Sequence, residues 1–272
     1  MSKTLVLYVF HLFNERVEQF FKNAIFESEQ VDFLIICNDK NLKFEYPHYK
    51  NISVLKRENI GFDFGGWTDG LLSNHKFGLE EGGFESDCDC DCESECNCKN
   101  ELLYKKYKTF IFANSSIVGP FLPTYFQGKW TDIYLDGLKK DNIHLFGSTI
   151  NNEGTQCELN PWVFSHVQSY IFSMTLETLE YLMEQKIFSK TNHAKSFEDD
   201  ILNKEILMSR KIVDKGWNIG CLQKLYQGVD FTFRTKRPDE YPFFFMRDIM
   251  YSQFYGNVWE KMELVFIKGN RR

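Results

Sequence analysis

The segment NIGFDFGGW at residues 59–67 is the clearest candidate for a ligand-binding loop. Gly61 permits a backbone with positive φ and a close approach of a ligand to the main chain. Asp63 can accept hydrogen bonds from ribose or sugar hydroxyls, and Asn59 can hold the loop or contact the edge of a base. The alternative is an ordinary glycine-rich turn in which Asp63 caps the next helix. Because the order GxGxxG is absent, the segment does not predict a dinucleotide site.

A second cluster of small polar residues ends the strand-like segment YKTFIFANSS at residues 107–116. It consists of Asn114, Ser115 and Ser116. Sites that hold Mg²⁺ or Mn²⁺ use carboxylate ligands, whereas an amide and two hydroxyls are weaker, neutral ligands. We therefore expect this strand end to contact a diphosphate or a sugar with a reduced need for metal. A turn whose polar groups satisfy one another is the alternative.

Two acidic sets could remove a proton from a hydroxyl group. The first is Glu198, Asp199 and Asp200, which we expect to precede a long helix, and the second is Glu205 within that helix. As a structural alternative, acidic residues of the first set would complement the dipole at a helix N-terminus. For Glu205 the structural alternative is a solvated helix face.

The histidines show no spacing that is typical of a zinc site, and we predict no metal ligand among them. The cysteines at residues 88–98 could bind soft metals, but the CxxC pairs of structural zinc sites are missing. His166 could contact a donor or an acceptor, but a single histidine beside apolar residues is more often a hydrogen-bonded structural residue, and His11 is similar. Five of the eight cysteines lie at residues 88–98, within an acidic tract at about 78–101. This tract has almost no apolar side chains, so we expect a flexible insertion.

The elements that must position these residues alternate between strands and helices. Strands are predicted at residues 5–12, 31–39, 52–59, 107–116, 144–152, 167–174, 217–222 and 262–268. Helices are predicted after Asn14, after the glycine-rich loop, after Thr175 and at 201–216, where Gly216 would end the helix. The pattern predicts a single α/β domain over residues 1–272, with a mixed, mainly parallel Rossmann-like sheet flanked by helices. Ligands of such sheets bind at the carboxyl ends of the strands.

Composition and charge exclude several classes of partner. The chain has 272 residues, of which 43% are hydrophobic and 17% aromatic, enough to bury a large core. A formal net charge of -6 gives no electrostatic reason to expect nucleic acid or an acidic membrane surface as a partner. The apolar run before His11 is too short for a membrane span and has no signal-peptide cleavage site. We therefore expect no transmembrane segment and a cytoplasmic location.

Four segments together resemble the rhamnan-synthesis-F-like glycosyltransferases of large viruses, algae and bacteria. They are RENIGFDFGGWTDGL, YKTFIFANSSIVGPFLP, HVQSYIFSM and KEILMSRKIVDKGWNIG. The resemblance runs from about residue 3 to the final FIKGNR and skips the cysteine-rich tract. It implies a GT-A-like fold and transfer of a sugar from a nucleoside-diphosphate donor.

The resemblance also implies which residues contact the nucleotide sugar. His166 is a further candidate from its sequence context. The residues that the resemblance implies are His11, Asn38, Asp39, Asn59, Gly61, Asp63, Asn114, Ser115 and Ser116. The last three stand where related enzymes have the DxD motif that holds a divalent cation. Both Mg²⁺ or Mn²⁺ as a cofactor and a metal-independent reaction therefore stay open. Without a metal, the cations available to stabilise a leaving diphosphate are Arg234, Lys236, Arg237 and Lys268.

By the same resemblance, Glu205 is the first choice for the catalytic base. In many inverting members the acidic base stands about eleven residues before a Gly-aromatic pair and about five before an arginine. Glu205 has these separations from Gly216 and Arg210. Asp199 and Asp200 are the next choices.

The expected activity is an inverting hexosyl transfer to a hydroxyl of a glycan or glycoprotein in polysaccharide biosynthesis. Rhamnose or another deoxyhexose is the favoured sugar, and UDP or dTDP the favoured nucleotide. The alternative is a catalytically inactive module that binds a nucleotide sugar or a glycan. Assay of donor turnover separates the two.

Overall fold

The computed structural model describes residues 3–77, 101–140, 142–152, 165–236, 240 and 260–269. The insertion expected at about 78–101 therefore lies outside the described residues, apart from Glu101. Among the described helices, none is both long enough and apolar enough to cross a membrane.

A seven-stranded sheet forms the centre of the molecule. In spatial order its strands are β10 (Asn218–Cys221), β6 (Ile143–Gly147), β9 (Ile171–Thr175), β4 (Thr109–Asn114), β1 (Thr4–Phe10), β2 (Val31–Cys37) and β3 (Ile52–Lys56). β9 is antiparallel to both of its neighbours, and the other pairs are parallel. The predicted mixed, mainly parallel sheet is confirmed.

Within the described ranges, two short antiparallel pairs lie outside this sheet. They are β5 (Ile117–Val118) with β11 (Ile267–Lys268), and β7 (Ile150–Asn152) with β8 (Ser165–Val167). The first pair ties a late segment of the chain to the end of β4.

Helices cover both faces of the sheet. The helices are α1 (Glu15–Asn23), α2 (Phe62–Leu71), α3 (Trp130–Gly137), α4 (Leu176–Glu184), α5 (Phe197–Asp200), α6 (Leu207–Lys215) and α7 (Lys261–Leu264), with short 3₁₀ turns at Leu103–Lys106 and Lys224–Tyr226. Alternate residues of β1 enter two separate cores: Leu7 packs on the side of α2, α4 and α6, and Tyr8 on the side of α1 and α3. Every residue of β1 is buried, which explains its continuous apolar sequence.

Three helix boundaries confirm the predicted capping residues. The side chain of Asn14 accepts hydrogen bonds from the Arg16 and Val17 backbone N–H groups of α1, and the side chain of Thr175 accepts one from the Thr178 backbone N–H of α4. Gly216 ends α6 in a left-handed conformation with φ 89°.

The predicted strands at 144–152 and 167–174 are wrong in extent, because each is divided between two sheets. The chain leaves the main sheet at Ser148 and Thr149, which are fully buried. Ser148 Oγ donates to the Leu264 carbonyl at 2.8 Å, and Thr149 Oγ1 donates to Gln168 Oε1 at 2.8 Å. These hydroxyls bond to groups outside the ladder, so an apolar run on its own does not reveal the break.

The predicted helix at 201–216 is wrong at its start, and the predicted strand at 262–268 is wrong in type over most of its length. Ser196 caps the helix by accepting from the Asp199 backbone N–H, so the helix begins at Phe197 and contains the acidic set that was expected to precede it. Near the end of the chain, α7 is followed by Val265 with φ 62°, and only Ile267–Lys268 form a strand.

Candidate functional site

The carboxyl ends of β1 to β4 share one edge of the sheet, because these strands are parallel. β2 and β3 lie on one side of β1 and β4 lies on the other, so the edge between β1 and β4 is a topological switch point, where open α/β sheets bind ligands. Ser115 joins the two strands here by donating its backbone N–H to the Val9 carbonyl at 3.0 Å. The predicted segments that follow these four strands therefore meet at this edge.

Asp63 and Asn114 form a direct contact at the switch point. Gly61, with φ 73°, is the N-cap of α2, so Asp63 lies in the first turn and is not the cap. Asn114 Nδ2 donates to Asp63 Oδ2 at 2.9 Å, while Asn114 Oδ1 accepts from the Ser116 backbone N–H at 3.0 Å. The two predicted clusters are thus parts of one site.

A π-helical turn at Ile201–Ile206 connects α5 to α6 and carries the acidic residues toward this contact. In an α-helix, residues five apart point about 140° away from each other. A π turn closes its hydrogen bonds at the fifth residue, so Asp200 and Glu205 come to the same side. Asp200 is 9% exposed, and its Oδ1 has no hydrogen-bond partner among the described residues.

Glu205 is held firmly by two groups from the segment that starts in β8. Its Oε2 accepts from the Ser169 backbone N–H at 2.8 Å and also from the Ser169 hydroxyl. Its Oε1 lies 3.3 Å from Nε2 of the buried His166. Both oxygens of Glu205 are therefore engaged.

The three carboxyl groups have pKa values that differ widely. Burial raises the pKa of Asp200 to about 8, and the negative charges of Asp63 and Glu205 add to this shift. Burial also raises the pKa of Asp63 to about 6, against the hydrogen bond from Asn114. For Glu205 burial acts in the same direction, but the contact with His166, the charge of Lys268 and the hydrogen bond from Ser169 together outweigh it and hold the pKa at about 2. The site thus keeps one firm carboxylate beside two carboxyl groups that hold a proton more readily.

Lys268 supplies positive charge to the same site. It pairs with Ile117 in the β5–β11 ladder, and the next residue, Gly269, donates its backbone N–H to the Ser116 carbonyl at 2.6 Å. The Lys268 charge lowers the pKa of both Asp63 and Glu205. A second cation, Arg16 of α1, donates from Nε to the Ser115 carbonyl at 3.0 Å.

Of the other predicted cations, Arg234 lies against Gly216, which precedes β10 at the opposite edge of the sheet. Arg237 lies outside the described residues. The place of Lys268 at the carboxyl edge is defined by contacts.

The residues predicted to line the base and ribose pocket are His11, Asn38 and Asp39, and they lie at the carboxyl edge of the sheet. The side chain of Asn38 forms hydrogen bonds inside the protein. Its Nδ2 donates to the Phe62 carbonyl at 3.3 Å, and its Oδ1 accepts from Arg57 Nη1 at 2.6 Å. His11 is exposed, with Nδ1 2.9 Å from the Asn38 carbonyl oxygen. Asp39 Oδ1 accepts from the backbone N–H of the residue two positions later at 2.9 Å.

The remaining predicted residues are divided between the site and its support. Asn59 is exposed next to the loop. A Cβ atom on Gly61 would lie only 2.7 Å from His193 Nδ1, so this glycine makes room for the segment before α5. Asp199 accepts from the Lys195 backbone N–H at 2.7 Å and from Asn203 at 2.5 Å, which lowers its pKa and ties it to the helix start.

Sequence reasoning missed Ser169 and Arg57. Ser169 is 36 residues from Glu205, so no local spacing reveals the pair. Arg57 is 6% exposed and ties the glycine-rich loop to the sheet through Asn38, the Ile60 carbonyl and Asp69 Oδ2, each at 2.6 Å. Arg57 could have been predicted from its position, because it is a basic residue at the end of a strand and just before a glycine-rich loop.

The donor set at this strand end does not fit the usual magnesium or manganese site, because Asn114 stands there with its oxygen already accepting from Ser116. Nor do any three His, Cys, Asp or Glu residues of the described ranges form a group that could hold a metal ion. The comparisons with protein-family models and with curated proteins find no match.

Proposed function

We propose that this chain is a glycosyltransferase that moves a sugar from a nucleoside-diphosphate donor to a hydroxyl group of an acceptor, with rhamnose or another deoxyhexose as the favoured sugar and UDP or dTDP as the favoured nucleotide. The observation that carries the proposal is the buried, partly unpartnered carboxyl group of Asp200 beside Asp63 and Glu205 at the switch point. Sugar transfer of this kind needs a base that takes the proton of the attacking hydroxyl as the bond to the anomeric carbon forms.

Asp200 fits the role of base better than Glu205. Once ionised, a carboxylate with a pKa of about 8 binds the acceptor proton far more strongly than one with a pKa of about 2, so Asp200 gains activity as a base as the pH rises toward 8. Glu205 also has no free oxygen, since Ser169 and His166 occupy both. Glu205 is a positioning residue whose negative charge raises the pKa of Asp200.

The opposite side of the site suits the phosphates of the donor. Lys268 and Arg16 bracket the segment that follows β4, where the backbone of Ser115 and Ser116 is tied down. Fixed positive groups at this point would stabilise the negative charge on the departing nucleoside diphosphate. No step of this proposal uses a metal, because the donor set does not fit one.

The test combines nucleotide binding with donor turnover. Thermal shifts of the purified chain with UDP, dTDP, GDP and CMP, each with EDTA or Mn²⁺, identify the nucleotide. With the matching nucleotide sugar, Asp200→Asn should lower kcat by about a hundredfold or more while the nucleotide still raises the Tm. Asp199→Asn is the matched control and should keep turnover. Absence of a shift with every nucleotide would overturn the proposal.

A nucleotide-sugar-binding module without activity is the second candidate. It is favoured by Asn114, whose amide is engaged with Asp63 and Ser116 where a carboxylate would hold a cation. This candidate predicts a nucleotide-dependent Tm rise with no turnover in the wild-type chain.

A further inference from the structure

His193 lies at the opening of the candidate site, and its ring has no hydrogen-bond partner among the described residues. The other partly or fully buried histidines of the described ranges each have a ring nitrogen within 3.3 Å of a protein oxygen; they are His75, His144 and His166. The side chain of His193 is only partly buried, so a ligand can reach the ring.

The backbone on both sides of His193 is held in place. After it, Ala194 is 6% exposed, and the Lys195 backbone N–H donates to Asp199 Oδ2 at 2.7 Å. Before it, the Asn192 backbone N–H donates to the carbonyl of the residue three positions earlier at 3.3 Å. His193 thus projects from an anchored segment between α4 and α5.

The ring of His193 rests on the glycine-rich loop. A Cβ atom on Gly61 would lie 2.7 Å from Nδ1, 3.0 Å from Cβ and 3.1 Å from Cγ of His193. Gly61 is therefore needed for two reasons, its φ of 73° and the space that the ring occupies. Because Nδ1 and Cγ are the ring atoms nearest to Gly61, Nε2 lies on the side of the ring away from it.

His193 flanks the two carboxyl groups at the centre of the site. Gly61, which the ring contacts, is two residues before Asp63. The segment that carries His193 leads into α5, which packs against α2 and ends at Asp200. The negative charge of Asp63 acts on Asp200, so the two carboxyl groups lie close together. His193 therefore lies at the junction of α2 and α5 that carries both groups.

The place of the transferred sugar follows from the proposed reaction. Lys268 and Arg16 mark the phosphate side of the site after β4, and Asp200 marks the side of the attacking hydroxyl. The sugar is attached to the second phosphate of the donor, and the attacking hydroxyl must reach its anomeric carbon. It would therefore lie between these two sides, next to Asp63, whose carboxyl group is bonded to Asn114 at the end of β4.

We propose that His193 forms a hydrogen bond with a hydroxyl group of the transferred sugar and is a specificity-determining residue of the site. In the neutral ring one nitrogen donates and the other accepts, and a sugar hydroxyl can do both, so the two groups match in either orientation. A site built to bond a substrate hydroxyl discriminates against an analogue that lacks it. The inference rests on the proposed function, because it requires a nucleotide sugar at the switch point.

Packing is the competing explanation, since the ring of His193 also fills the space above Gly61. Two substitutions separate packing from hydrogen bonding. His193→Phe keeps a ring of similar shape and removes the hydrogen bond, whereas His193→Gln removes the ring and keeps a donor and an acceptor.

The experiment is calorimetric titration of the purified full chain and its variants with UDP, dTDP, UDP-glucose, UDP-galactose, dTDP-glucose and dTDP-rhamnose. For the nucleotide sugar that the wild-type chain binds most tightly, His193→Ala and His193→Phe should raise the Kd by about fivefold or more, through the loss of one hydrogen bond. His193→Gln should stay within about twofold of the wild type. All three variants should bind the free nucleoside diphosphate as the wild type does. The matched control is His48→Ala, which changes an exposed histidine between β2 and β3 and should bind every ligand unchanged.

The outcomes separate this inference from the function on which it rests. If the wild-type chain binds neither UDP nor dTDP, the favoured donor is overturned and this inference with it. If the chain binds one of them, but His193→Ala and His193→Phe bind every nucleotide sugar as tightly as the wild type, this inference alone is overturned. Weaker binding in His193→Ala and His193→Gln that His193→Phe does not share would indicate packing against Gly61 and would also overturn it.

Discussion

Replacing Asp200 by asparagine should increase stability at alkaline pH while removing activity. In the folded chain, burial and the charges of Asp63 and Glu205 raise the pKa of Asp200 from 3.8 to about 8. The favourable contribution of a raised folded-state pKa is complete below the unfolded value and is lost as the pH rises toward the folded value. An asparagine side chain does not titrate, so the variant lacks this loss.

The magnitude follows from the size of the shift. Between about pH 5 and about pH 8 the unfolded chain ionises this carboxyl group and the folded chain largely keeps its proton. The free energy of unfolding then falls by about 1.36 kcal/mol per pH unit, or about 4 kcal/mol in all. Counted from below the unfolded value of 3.8, the whole loss at about pH 8 is about 5 kcal/mol. A buried amide without partners costs about 1–3 kcal/mol at every pH, so the expected net gain at about pH 8 is about 3 kcal/mol, or about 6 °C in Tm.

The assay is urea unfolding of the wild-type chain and of Asp200→Asn at both pH values, so that other titrating groups cancel in the difference. The matched control is Asp199→Asn, which should have the opposite sign. The pKa of Asp199 is lowered by Asn203 and the Lys195 backbone, so its contribution is present above the unfolded pKa, and its removal should lower stability at about pH 8. An Asp200→Asn variant whose stability follows the wild-type pH dependence would refute the placement of Asp200.

Three further perturbations test other parts of the structure. Gly61→Ala should destabilise more than Gly228→Ala in urea unfolding, by about 1–3 kcal/mol, since both glycines have positive φ but only Gly61 has His193 within 3 Å of the added Cβ; equal losses would contradict that contact. Lys268→Ala should weaken nucleotide binding about tenfold in calorimetry, and unchanged affinity would remove Lys268 from the phosphate site. Tyr8→Phe should raise the Tm by about 2–4 °C, because the Tyr8 hydroxyl is buried without a hydrogen-bond partner in the described structure; a lower Tm would indicate that this hydroxyl has a partner.

The sheet could be predicted from the sequence where each strand is buried on both faces. β1, β2 and most of β4 are such strands, and their continuous apolar runs between turn residues identify them. The cap residues Asn14 and Thr175 and the stop at Gly216 were also readable, because each acts on its own helix end.

Features set by distant contacts could not be predicted. Nothing local at Ser148 shows that its hydroxyl bonds to Leu264, so the strand break was missed. The π turn was missed for a related reason: the segment ILNKEI reads as an ordinary helix, and the burial of Lys204 and Glu205 supplies the contacts that accompany the altered turn.

For the candidate site, sequence reasoning predicted which residues are present better than it predicted the role of each. Asp63 and Asn114 were both named, but their hydrogen bond spans 51 residues and had no sequence signal. Glu205 was placed before Asp200 as the base because of its spacing, whereas burial and neighbouring charges favour Asp200 in our proposal. Such differences between two carboxyl groups depend on packing, which spacing does not encode.

The pairing of β11 with β5 bears on the order in which the molecule folds. Phe266 packs between α1 and α3, with its ring centroid 6.3 Å from that of Phe20 and 5.1 Å from that of Trp130. The core beneath α1 is therefore closed only when a segment far away in the sequence packs against it. Closing so long a loop costs little extra free energy, but contacts so distant in sequence slow folding. Lys268 is placed by the same pairing, so the acidic residues at the switch point gain this positive charge only when β11 packs against β5.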